Sequence, residues 1–267
     1  MPLLSEHQET KIVKLLYMGD SGAGKTGSLT SLVKAGYKLR ILDLDNGLVV
    51  LKHFVDHECP ENIDNVEFES LRDIYQASKN PTKPGITLKQ TNEPLAFTKA
   101  LRLLEKWTDG TDPATWGPDY ILVIDSLTAL ADAAVTWCKD KDPGLADNRL
   151  YYIGGQNALA HIIACITGPD FATNVILTAH MKFQLNEDEI SQAYPSGVGS
   201  AKNPEIPRAF NTFLLAELEG SGRAAKRVIA TVPRTRATLK NPAPFKVAET
   251  YPLGTGLASI FKTLTED

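Results

Sequence analysis

The chain has 267 residues, a formal net charge of −4, and 43% hydrophobic and 22% charged residues. These values are ordinary for a globular protein, and we expect a single domain over residues 1–267 with a core from about 11 to 250. The acidic balance disfavours a protein that coats nucleic acid, and the lack of a signal-peptide pattern or a run of roughly twenty apolar residues predicts a cytoplasmic protein with no membrane partner.

The first predicted strand leads into a phosphate-binding motif. Residues 12–18 form an apolar run, and residues 19–26, GDSGAGKT, then satisfy the pattern G-x-x-x-x-G-K-[ST]. In this motif backbone N–H groups point at the β-phosphate, the lysine reaches the β and γ oxygens, and the threonine hydroxyl joins the shell of Mg²⁺. The sequence therefore predicts a bound nucleoside triphosphate with Mg²⁺. The predicted nucleotide-binding residues are Gly19, Asp20, Ser21, Gly22, Ala23, Gly24, Lys25, Thr26 and Gly27.

An overlapping pattern offers a different interpretation. Residues 22–27 also satisfy G-x-G-x-x-G, and Asp43 and Asp45 lie about twenty residues on, where a dinucleotide-binding fold places its ribose-binding acid. That fingerprint should begin almost at the strand end, whereas Gly22 lies several residues beyond it, and it gives the lysine of the motif no role. We therefore favour the triphosphate.

The remaining elements follow from hydrophobic periodicity. Helices are predicted at 25–35, 47–56, 95–107, 126–139 and 149–167, and Gly36 should end the first of them. Further strands are predicted at 38–43, 66–70, 120–125, 174–180, 210–217 and 227–232. Loops are predicted at 80–92 and 182–207, and the second is long enough to suggest a functional role. The alternation of strands and helices predicts an α/β fold with a mainly parallel central sheet flanked by helices, which binds ligands at the carboxyl ends of its strands.

Polar residues end several of these strands. Asp125 follows four apolar residues and should present its carboxylate to Mg²⁺ opposite Thr26, although it could instead cap the next helix. Asp45 lies farther into its loop than Asp43 and is the candidate that orients the hydrolytic water, unless it is a solvated turn acid. His180 could contact the γ-phosphate and report its loss to the following loop, or it could be structural.

A basic segment late in the chain has three possible interpretations. Residues 221–246 hold seven basic residues and no Asp or Glu. Arg234 or Arg236 could reach a phosphate across a subunit interface, whereas Arg223, Lys226 and Arg227 could contact a nucleic-acid backbone, and a solvated hairpin is the third interpretation.

The three cysteines are Cys59, Cys138 and Cys165. They are odd in number and widely spaced, which predicts reduced, buried thiols. His53 and His57 precede Cys59 in an H-x₃-H-x-C cluster, but a fourth ligand for a metal is not evident.

With these motifs in place, the chain resembles RecA-like P-loop ATPases, and more narrowly the small RecA-like ATP-binding proteins of bacteriophages that serve as single-strand annealing proteins. The resemblance covers nearly the whole chain through GDSGAGKT, LDLDNG, YILVIDSLTAL, VILTAHM, IPRAFNTFLL and VPRTRATLKNP, in that order. It implies that the position of a catalytic glutamate falls on Asp45, which is one methylene shorter, and that of a glutamine sensor on His180. It also implies that residues 182–207 bind DNA, with Lys182 and Lys202 in the loop and Arg208 directly after it.

The resemblance further implies ATP and Mg²⁺ as ligands, single-stranded DNA as a partner, and a homo-oligomer, ring or filament, with ATP at the subunit interface. The function expected is ATP-dependent annealing or strand exchange in phage-type recombination, in the host cytoplasm if the protein is phage-encoded. A nucleotide-gated interaction protein without DNA contact and a ring-forming helicase or packaging-type motor stay open as alternatives. The expected catalytic residues are Lys25, Asp45, Asp125, His180, Arg234 and Arg236, and the expected metal ligands are Thr26 and Asp125.

Overall fold

A computed structural model describes residues 11–79, 86–91, 95–185, 189–199, 202–220 and 222–265, with the backbone alone at 78–79, 86–90 and 223. The strands are β1 Lys14–Gly19, β2 Lys38–Asp43, β3 Val66–Ser70, β4 Tyr75–Lys79, β5 Ile86–Gln90, β6 Tyr120–Asp125, β7 Asn174–Ala179, β8 Met181–Leu185, β9 Ser191–Pro195, β10 Thr212–Glu219, β11 Lys226–Ala230 and β12 Thr250–Pro252. The helices are α1 Lys25–Ser28, α2 Thr30–Lys34, α3 Leu48–Glu58, α4 Ala96–Glu105, α5 Leu127–Lys141, α6 Arg149–Thr167 and α7 Leu253–Thr265. Within these ranges, no helix has the length and apolar character needed to cross a bilayer.

The central sheet is mainly parallel. In the described part of the chain it has eight strands, in the order β12-β11-β10-β1-β7-β6-β2-β3. The strands from β10 to β3 pair in parallel, and β11 and β12 extend one edge by antiparallel pairing. Helices cover both faces, as parallel connections require. The predicted α/β fold with a mainly parallel central sheet flanked by helices is therefore confirmed.

The core has two layers, one on each face of the sheet. Strand β1 shows how the sequence builds them, because side chains alternate along a strand. Leu15 and Tyr17 join the cluster under α1, α2, α3 and α7, whereas Leu16 and Met18 join the cluster under α4, α5 and α6. All four side chains are fully buried. Since burying one such side chain contributes roughly 1.5–3 kcal/mol, both layers fix β1 and position the loop that follows it.

The parallel strands bring their carboxyl ends to one edge of the sheet. Asp43 at the end of β2 pairs with Asp125 at the end of β6. His180 directly follows β7, which lies between β6 and β1. The polar residues that the sequence places at strand ends therefore meet beside the loop that follows β1.

Several predicted elements have the predicted bounds, including β2, β3, β6 and α6. The expected role of Gly36 is also confirmed. It has a φ of 92°, and its N–H donates to the carbonyl of Val33 at 3.0 Å while that of Tyr37 donates to Leu32 at 3.1 Å. These two bonds satisfy carbonyls that the end of a helix leaves open.

The first predicted helix is interrupted, and the carboxyl-terminal helix was not predicted. At Leu29 the backbone N–H bonds to Thr26 three residues back, at 3.3 Å, so the turn tightens and separates α1 from α2. Helix α7 packs Leu257, Ile260 and Phe261 into the core. Their spacing of three and four residues is the helical signal that would have identified it.

Both predicted loops contain strands, so those two predictions are wrong. Strand β5 lies in the first and pairs with β4, and β8 and β9 form an antiparallel hairpin in the second. Proline and glycine near these short strands hide their alternation. The parts of the two loops at 80–85, 92, 186–188 and 200–201 lie outside the described residues.

Candidate nucleotide site

The loop between β1 and α1 has the geometry of a phosphate cradle. Gly22 and Gly24 have φ values of 77° and 97°, a left-handed conformation that favours glycine. Gly19 is needed for a different reason, because a Cβ there would lie 2.6 Å from the carbonyl oxygen of Ala216 in β10. The glycines therefore allow the turn of a phosphate-binding loop to form against the neighbouring strand.

Lys25 is held inside this loop. Its Nζ donates to the carbonyl of Gly19 at 2.8 Å and to that of Asp20 at 3.1 Å. Burial lowers the pKa of Lys25, while the nearby carboxylates of Asp125, Asp45 and Asp20 oppose that shift. Since an ammonium group has three donors, one remains for a phosphate oxygen.

Thr26 and Asp125 form a pair of oxygen ligands. The Thr26 hydroxyl donates to Oδ2 of Asp125 at 2.7 Å, and the buried Thr178 hydroxyl donates to Oδ1 at 2.6 Å. A Cβ at Gly47 would lie 3.0 Å from Thr26 Oγ1 and 3.2 Å from Asp125 Oδ2, so the glycine leaves space beside both atoms. A hydroxyl and a carboxylate with adjacent space suit Mg²⁺, which prefers hard oxygen ligands and keeps several waters.

The turn after β2 positions Asp45. The backbone carbonyl of Asp125 accepts from the N–H groups of Leu44, at 2.6 Å, and Asp45, at 3.1 Å. Asp43 turns inward instead, and its Oδ1 accepts from the N–H of Gly47 at 3.2 Å. Burial and the nearby Asp125 raise the pKa of Asp43, against the hydrogen bonds from Gly47 and Asn46. Asp43 thus shapes the turn while Asp45 faces the site.

Asp45 and His180 are direct partners. Nε2 of His180 lies 3.0 Å from Oδ2 of Asp45, and because a carboxylate only accepts, the histidine nitrogen is the donor. The backbone N–H of His180 donates to Thr128 at 3.3 Å, and its carbonyl accepts from Ser196 at 2.9 Å. The histidine is therefore fixed on both sides, between the candidate base and the segment that follows β9.

These side chains line a cavity of about 910 Å³ at the edge of the sheet. Val50 and Phe54 of α3 form an apolar wall, and the Phe54 ring would lie 3.2 Å from a Cβ at Gly27. On another side, Leu253 at the start of α7 lies over the loop, so close that it would overlap with a Cβ at Gly24. The cavity thus offers apolar surfaces as well as phosphate contacts, as a nucleotide requires.

The three arginines between residues 227 and 236 lie in different environments. Arg227 lies at the cavity, where its Nε donates to the carbonyl of Gly22 at 3.3 Å. Arg234 forms an ion pair with Glu217 of the same chain at 2.7 Å. Arg236 is exposed. The basic segment 221–246 is therefore not one uniform patch, and of the two candidate finger residues Arg236 is the one whose side chain is exposed.

The predicted DNA-binding loop is a hairpin with an exposed, partly apolar surface. Lys182 and Phe183 of β8 are exposed, and Leu185 is 70% exposed. Lys202 is engaged in an ion pair with Glu205 at 2.9 Å. Arg208 is exposed at the other end of the segment.

The cysteines differ in environment. Cys59 is buried, but Cys138 is half-buried and Cys165 is exposed on α6, so the prediction of burial is wrong for these two. Cys165 precedes the buried Ile166 and faces outward from the helix. Among the described residues there is no cluster of three His, Cys, Asp or Glu that could hold a metal, so His53, His57 and Cys59 do not form a metal site.

Four residues of the cavity or its support were not identified from the sequence. Thr178 is a polar residue within an apolar strand run, which is a usable signal. Gly47 follows the acidic turn, where a glycine suggests close approach of the backbone. Arg227 and Leu253 come from distant parts of the chain, and no local pattern places them beside the loop.

The comparisons with known proteins identify a family and a set of similar folds. A family described as an AAA domain matches residues 11–243. Similar solved structures include a KaiC-like protein from Pyrococcus horikoshii OT3, at 13% identity over 90% of this chain and 84% of that one, with a TM-score of 0.43. The flagellar accessory protein FlaH from Methanocaldococcus jannaschii has 11% identity over 91% and 87%, with a TM-score of 0.43. The RadB recombinase has 15% identity over 84% and 82%, with a TM-score of 0.45. At these identities and scores the likenesses support no conclusion on function. A comparison with curated sequences gives no match.

Proposed function

Since the chain belongs to the AAA domain family, whose match spans residues 11–243, we propose that it binds and hydrolyses ATP and uses this cycle to control binding of single-stranded DNA. The observation that carries the proposal is the contact between Asp45 and His180, at 3.0 Å, beside the Thr26 and Asp125 pair. A base, a polar partner and a pair of hard oxygen ligands then surround one phosphate cradle, which is the set of groups that hydrolysis needs.

The residues of the loop and those at the strand ends have separate roles in hydrolysis. The N–H groups of the loop and Lys25 hold the phosphates, and Thr26 and Asp125 would hold Mg²⁺, which neutralises phosphate charge when bound. Asp45 orients a water molecule and accepts its proton. The water oxygen bonds to the γ-phosphorus as the bond from that phosphorus to the β–γ bridging oxygen breaks, so the products are ADP and inorganic phosphate.

His180 connects this chemistry to the hairpin of β8 and β9. It immediately precedes β8, and its carbonyl accepts from Ser196 just after β9, at 2.9 Å. A change in the hydrogen bond of its ring to Asp45 would therefore act at both ends of the hairpin. We propose that loss of the γ-phosphate changes the order or position of this hairpin, as in other triphosphatases that couple hydrolysis to a loop.

The hairpin is the proposed contact for single-stranded DNA. Phe183 is 51% exposed, and exposed Lys182 precedes it in β8, so the hairpin offers an aromatic ring on one face and a positive charge on the other. Bases stack on exposed aromatic rings, and ammonium groups contact the backbone. A local basic and aromatic surface is compatible with a net charge of −4, because it covers a small part of the molecule.

The proposal also includes assembly of several copies of the chain. In a ring or filament with ATP between subunits, Arg236 of one copy would reach the phosphates held by the next copy. Binding of single strands by such an assembly would bring complementary strands together, which is annealing, or replace one strand by another, which is strand exchange. We propose a role of this kind in phage-type recombination.

The test is binding of a fluorescent single strand at low and moderate salt, with ATP, with ADP and without nucleotide. We expect ATP to favour binding, with an affinity that falls as salt rises because phosphate contacts release counterions. Phe183→Ala should weaken binding by about fivefold or more, since stacking contributes roughly 1–3 kcal/mol per base. Phe245→Ala is the matched control, because Phe245 is fully exposed but lies outside the hairpin. No binding by wild-type protein even at low salt would overturn the DNA role.

A second function is favoured by one observation. The hairpin exposes Leu185 as well as Phe183, and Ile190 just before β9 is 56% exposed. Exposed apolar side chains of this kind also mark protein-binding surfaces. A nucleotide-gated interaction protein would hydrolyse ATP through the same residues, but DNA would neither bind nor change its ATPase rate.

A further inference from the structure

The topology of the sheet brings Arg227 to the phosphate-binding loop. Strand β10 runs parallel to β1, so it ends at the edge where the loop lies. Strand β11 pairs antiparallel with β10 and therefore begins at that edge, with Arg227 as its second residue. We propose that Arg227 binds the nucleoside end of the nucleotide from within the same subunit. This inference rests on the proposed binding of ATP.

Arg227 lies against the phosphate-binding loop at Gly22 and Gly24. Its Nε donates to the carbonyl of Gly22 at 3.3 Å, and its Cδ lies 3.4 Å from the position of a Cβ at Gly24. Lys25 donates to the carbonyls of Gly19 and Asp20, whereas Arg227 donates to that of Gly22, so the two cations contact different parts of the loop. The side chain of Arg227 is exposed and also lines the cavity, which leaves most of its five donors available.

The order of strands shows which end of the nucleotide Arg227 can reach. The backbone of Arg227 lies two strands from that of β1 on one side, about 10 Å away, since neighbouring strands are about 4.8 Å apart. His180 and Asp45 follow strands that lie one and three places from β1 on the opposite side. If the γ-phosphate faces Asp45 and His180, the α-phosphate end and the nucleoside face Arg227.

Helix α7 completes this side of the cavity. Strand β12 pairs antiparallel with β11 and so ends at the same edge as β1, where α7 begins with Leu253. Leu253 lies over Gly24 beside Arg227, and Gly254 also lines the cavity. The AAA domain match ends at residue 243, so this apolar cover comes from a part of the chain beyond the matched region.

A planar guanidinium beside an apolar side chain suits a nucleoside. The guanidinium can stack on the base or donate to ribose oxygens, and Leu253 offers an apolar surface for the ring. These contacts are common to ATP and ADP, whereas a finger residue contacts the transferred phosphate. The chemistry therefore predicts that Arg227 contributes equally to the binding of both nucleotides.

The experiment measures the affinity of fluorescent ATP and ADP analogues for the full chain in the absence of DNA. Arg227→Ala should weaken both nucleotides by the same factor, on the order of tenfold, as expected for one charge-assisted hydrogen bond. Arg227→Lys should recover part of the loss, because it keeps the charge without the planar fork. Lys246→Ala is the control, since it removes a positive charge from the same basic segment but does not line the cavity.

The outcomes separate this inference from the proposed function. Weakening of ATP alone would overturn it, because Arg227 would then contact the γ-phosphate, and unchanged affinity for both nucleotides would overturn it as well. A variant that loses only affinity for single-stranded DNA would show a nucleic-acid contact instead. Failure of wild-type protein to bind any nucleotide would overturn the proposed function, and the inference with it.

Discussion

Asp45 and His180 are joined by a hydrogen bond of 3.0 Å across 135 residues of sequence. Asp45 follows β2 and His180 follows β7, and these strands lie on either side of β6. Both side chains are about one-third exposed, at 28% for Asp45 and 34% for His180. The contact links the candidate base to the start of the β8–β9 hairpin, so the two proposed roles belong to one structural unit.

Asp45→Asn tests the proposed base. The substitution keeps the shape of the side chain but removes its ability to accept a proton from water. We expect the single-turnover rate of ATP hydrolysis to fall by roughly 10²–10⁴-fold, while ATP affinity changes by less than about twofold. Rapid-quench measurement with excess enzyme gives the rate of the chemical step directly.

His180 needs a graded test, because its proposed role combines positioning with signalling. His180→Gln provides an amide donor that can replace Nε2, whereas His180→Ala removes it. We expect the alanine variant to lose about tenfold or more in the hydrolysis rate and the glutamine variant to recover part of it. Asp119→Asn, at the opposite edge of the sheet just before β6, is the control. A wild-type rate in Asp45→Asn would show that another group serves as the base.

The parts of the fold that were predicted correctly have local causes. The apolar run of β6 requires a strand buried on both faces, and the glycines of the loop after β1 require its turn. The Asp45–His180 contact has no such local signature. Sequence spacing placed both residues at strand ends, but only the strand order brings them within 3.0 Å.

The errors also have physical causes. The strands of the β8–β9 hairpin have five residues each, and β8 exposes polar and apolar side chains alike, so neither strand has a clear alternating pattern. The sequence groups Arg227 with candidate nucleic-acid contacts, because a run of basic residues does not show where each side chain points. Its antiparallel strand brings it to the phosphate loop, although 205 residues of sequence separate Arg227 from Gly22.

Gly47→Ala tests the space around the proposed metal site. The added methyl would lie 3.0 Å from Thr26 Oγ1 and 3.2 Å from Asp125 Oδ2, which is tighter than ordinary contact. We expect the Mg²⁺ concentration for half-maximal nucleotide binding to rise by about tenfold or more, since the ligands must move apart. Gly144→Ala is the matched control, because a Cβ there meets nothing within 4 Å. Equal Mg²⁺ requirements in the two variants would contradict the placement of the metal.

Thr178→Val tests the support of Asp125. The change removes the donor to Oδ1 of Asp125, now at 2.6 Å, in a fully buried place. We expect a loss of about 1–3 kcal/mol in the free energy of unfolding and a weaker response to Mg²⁺, because the carboxylate loses its orientation. Thr178→Ser keeps the hydroxyl and should restore the Mg²⁺ response, while the missing methyl still costs about 1 kcal/mol. If serine did not restore it, packing and not the hydrogen bond would be responsible.

Lys14 should make stability depend on pH. It lies buried in β1, where burial lowers its pKa from 10.5 to about 7. Between these two values the unfolded chain binds more protons than the folded one, so the free energy of unfolding should rise as pH rises from 7 towards 10. The two bonds from Nζ to the carbonyls of Phe171 and Thr173, at 2.6 and 2.8 Å, survive deprotonation because a neutral amine keeps two donors.

Urea unfolding at several pH values checks this prediction. Lys14→Met should remove this part of the pH dependence, whereas Lys38→Met, at an exposed position at the start of β2, should retain it. A slope that persists unchanged in Lys14→Met would place its origin in another group.

Substitution of Arg234 should affect stability, whereas substitution of Arg236 should affect the ATPase rate. Arg234 is paired with Glu217 of its own chain at 2.7 Å, so Arg234→Ala should lower the free energy of unfolding by up to about 1 kcal/mol, as partly exposed ion pairs do. Arg236 has an exposed side chain, and its carbonyl accepts from Ala193 of the hairpin at 2.6 Å. Arg236→Ala should therefore leave stability and ATP affinity unchanged but reduce the ATPase rate of the assembly, by roughly 10³-fold for a full arginine finger.

Mixing two inactive variants tests whether Arg236 acts on the neighbouring subunit or within its own subunit. Lys25→Ala should fail to bind ATP yet still present Arg236 to its neighbour, whereas Arg236→Ala binds ATP but presents no arginine. If Arg236 acts across the interface, a mixture should recover ATPase activity, because sites held by an Arg236→Ala subunit can receive the arginine of a Lys25→Ala neighbour. Each variant alone, at the same total protein concentration as the mixture, is the control. A mixture that stays inactive although the two proteins assemble would show that Arg236 acts within its own subunit or not at all.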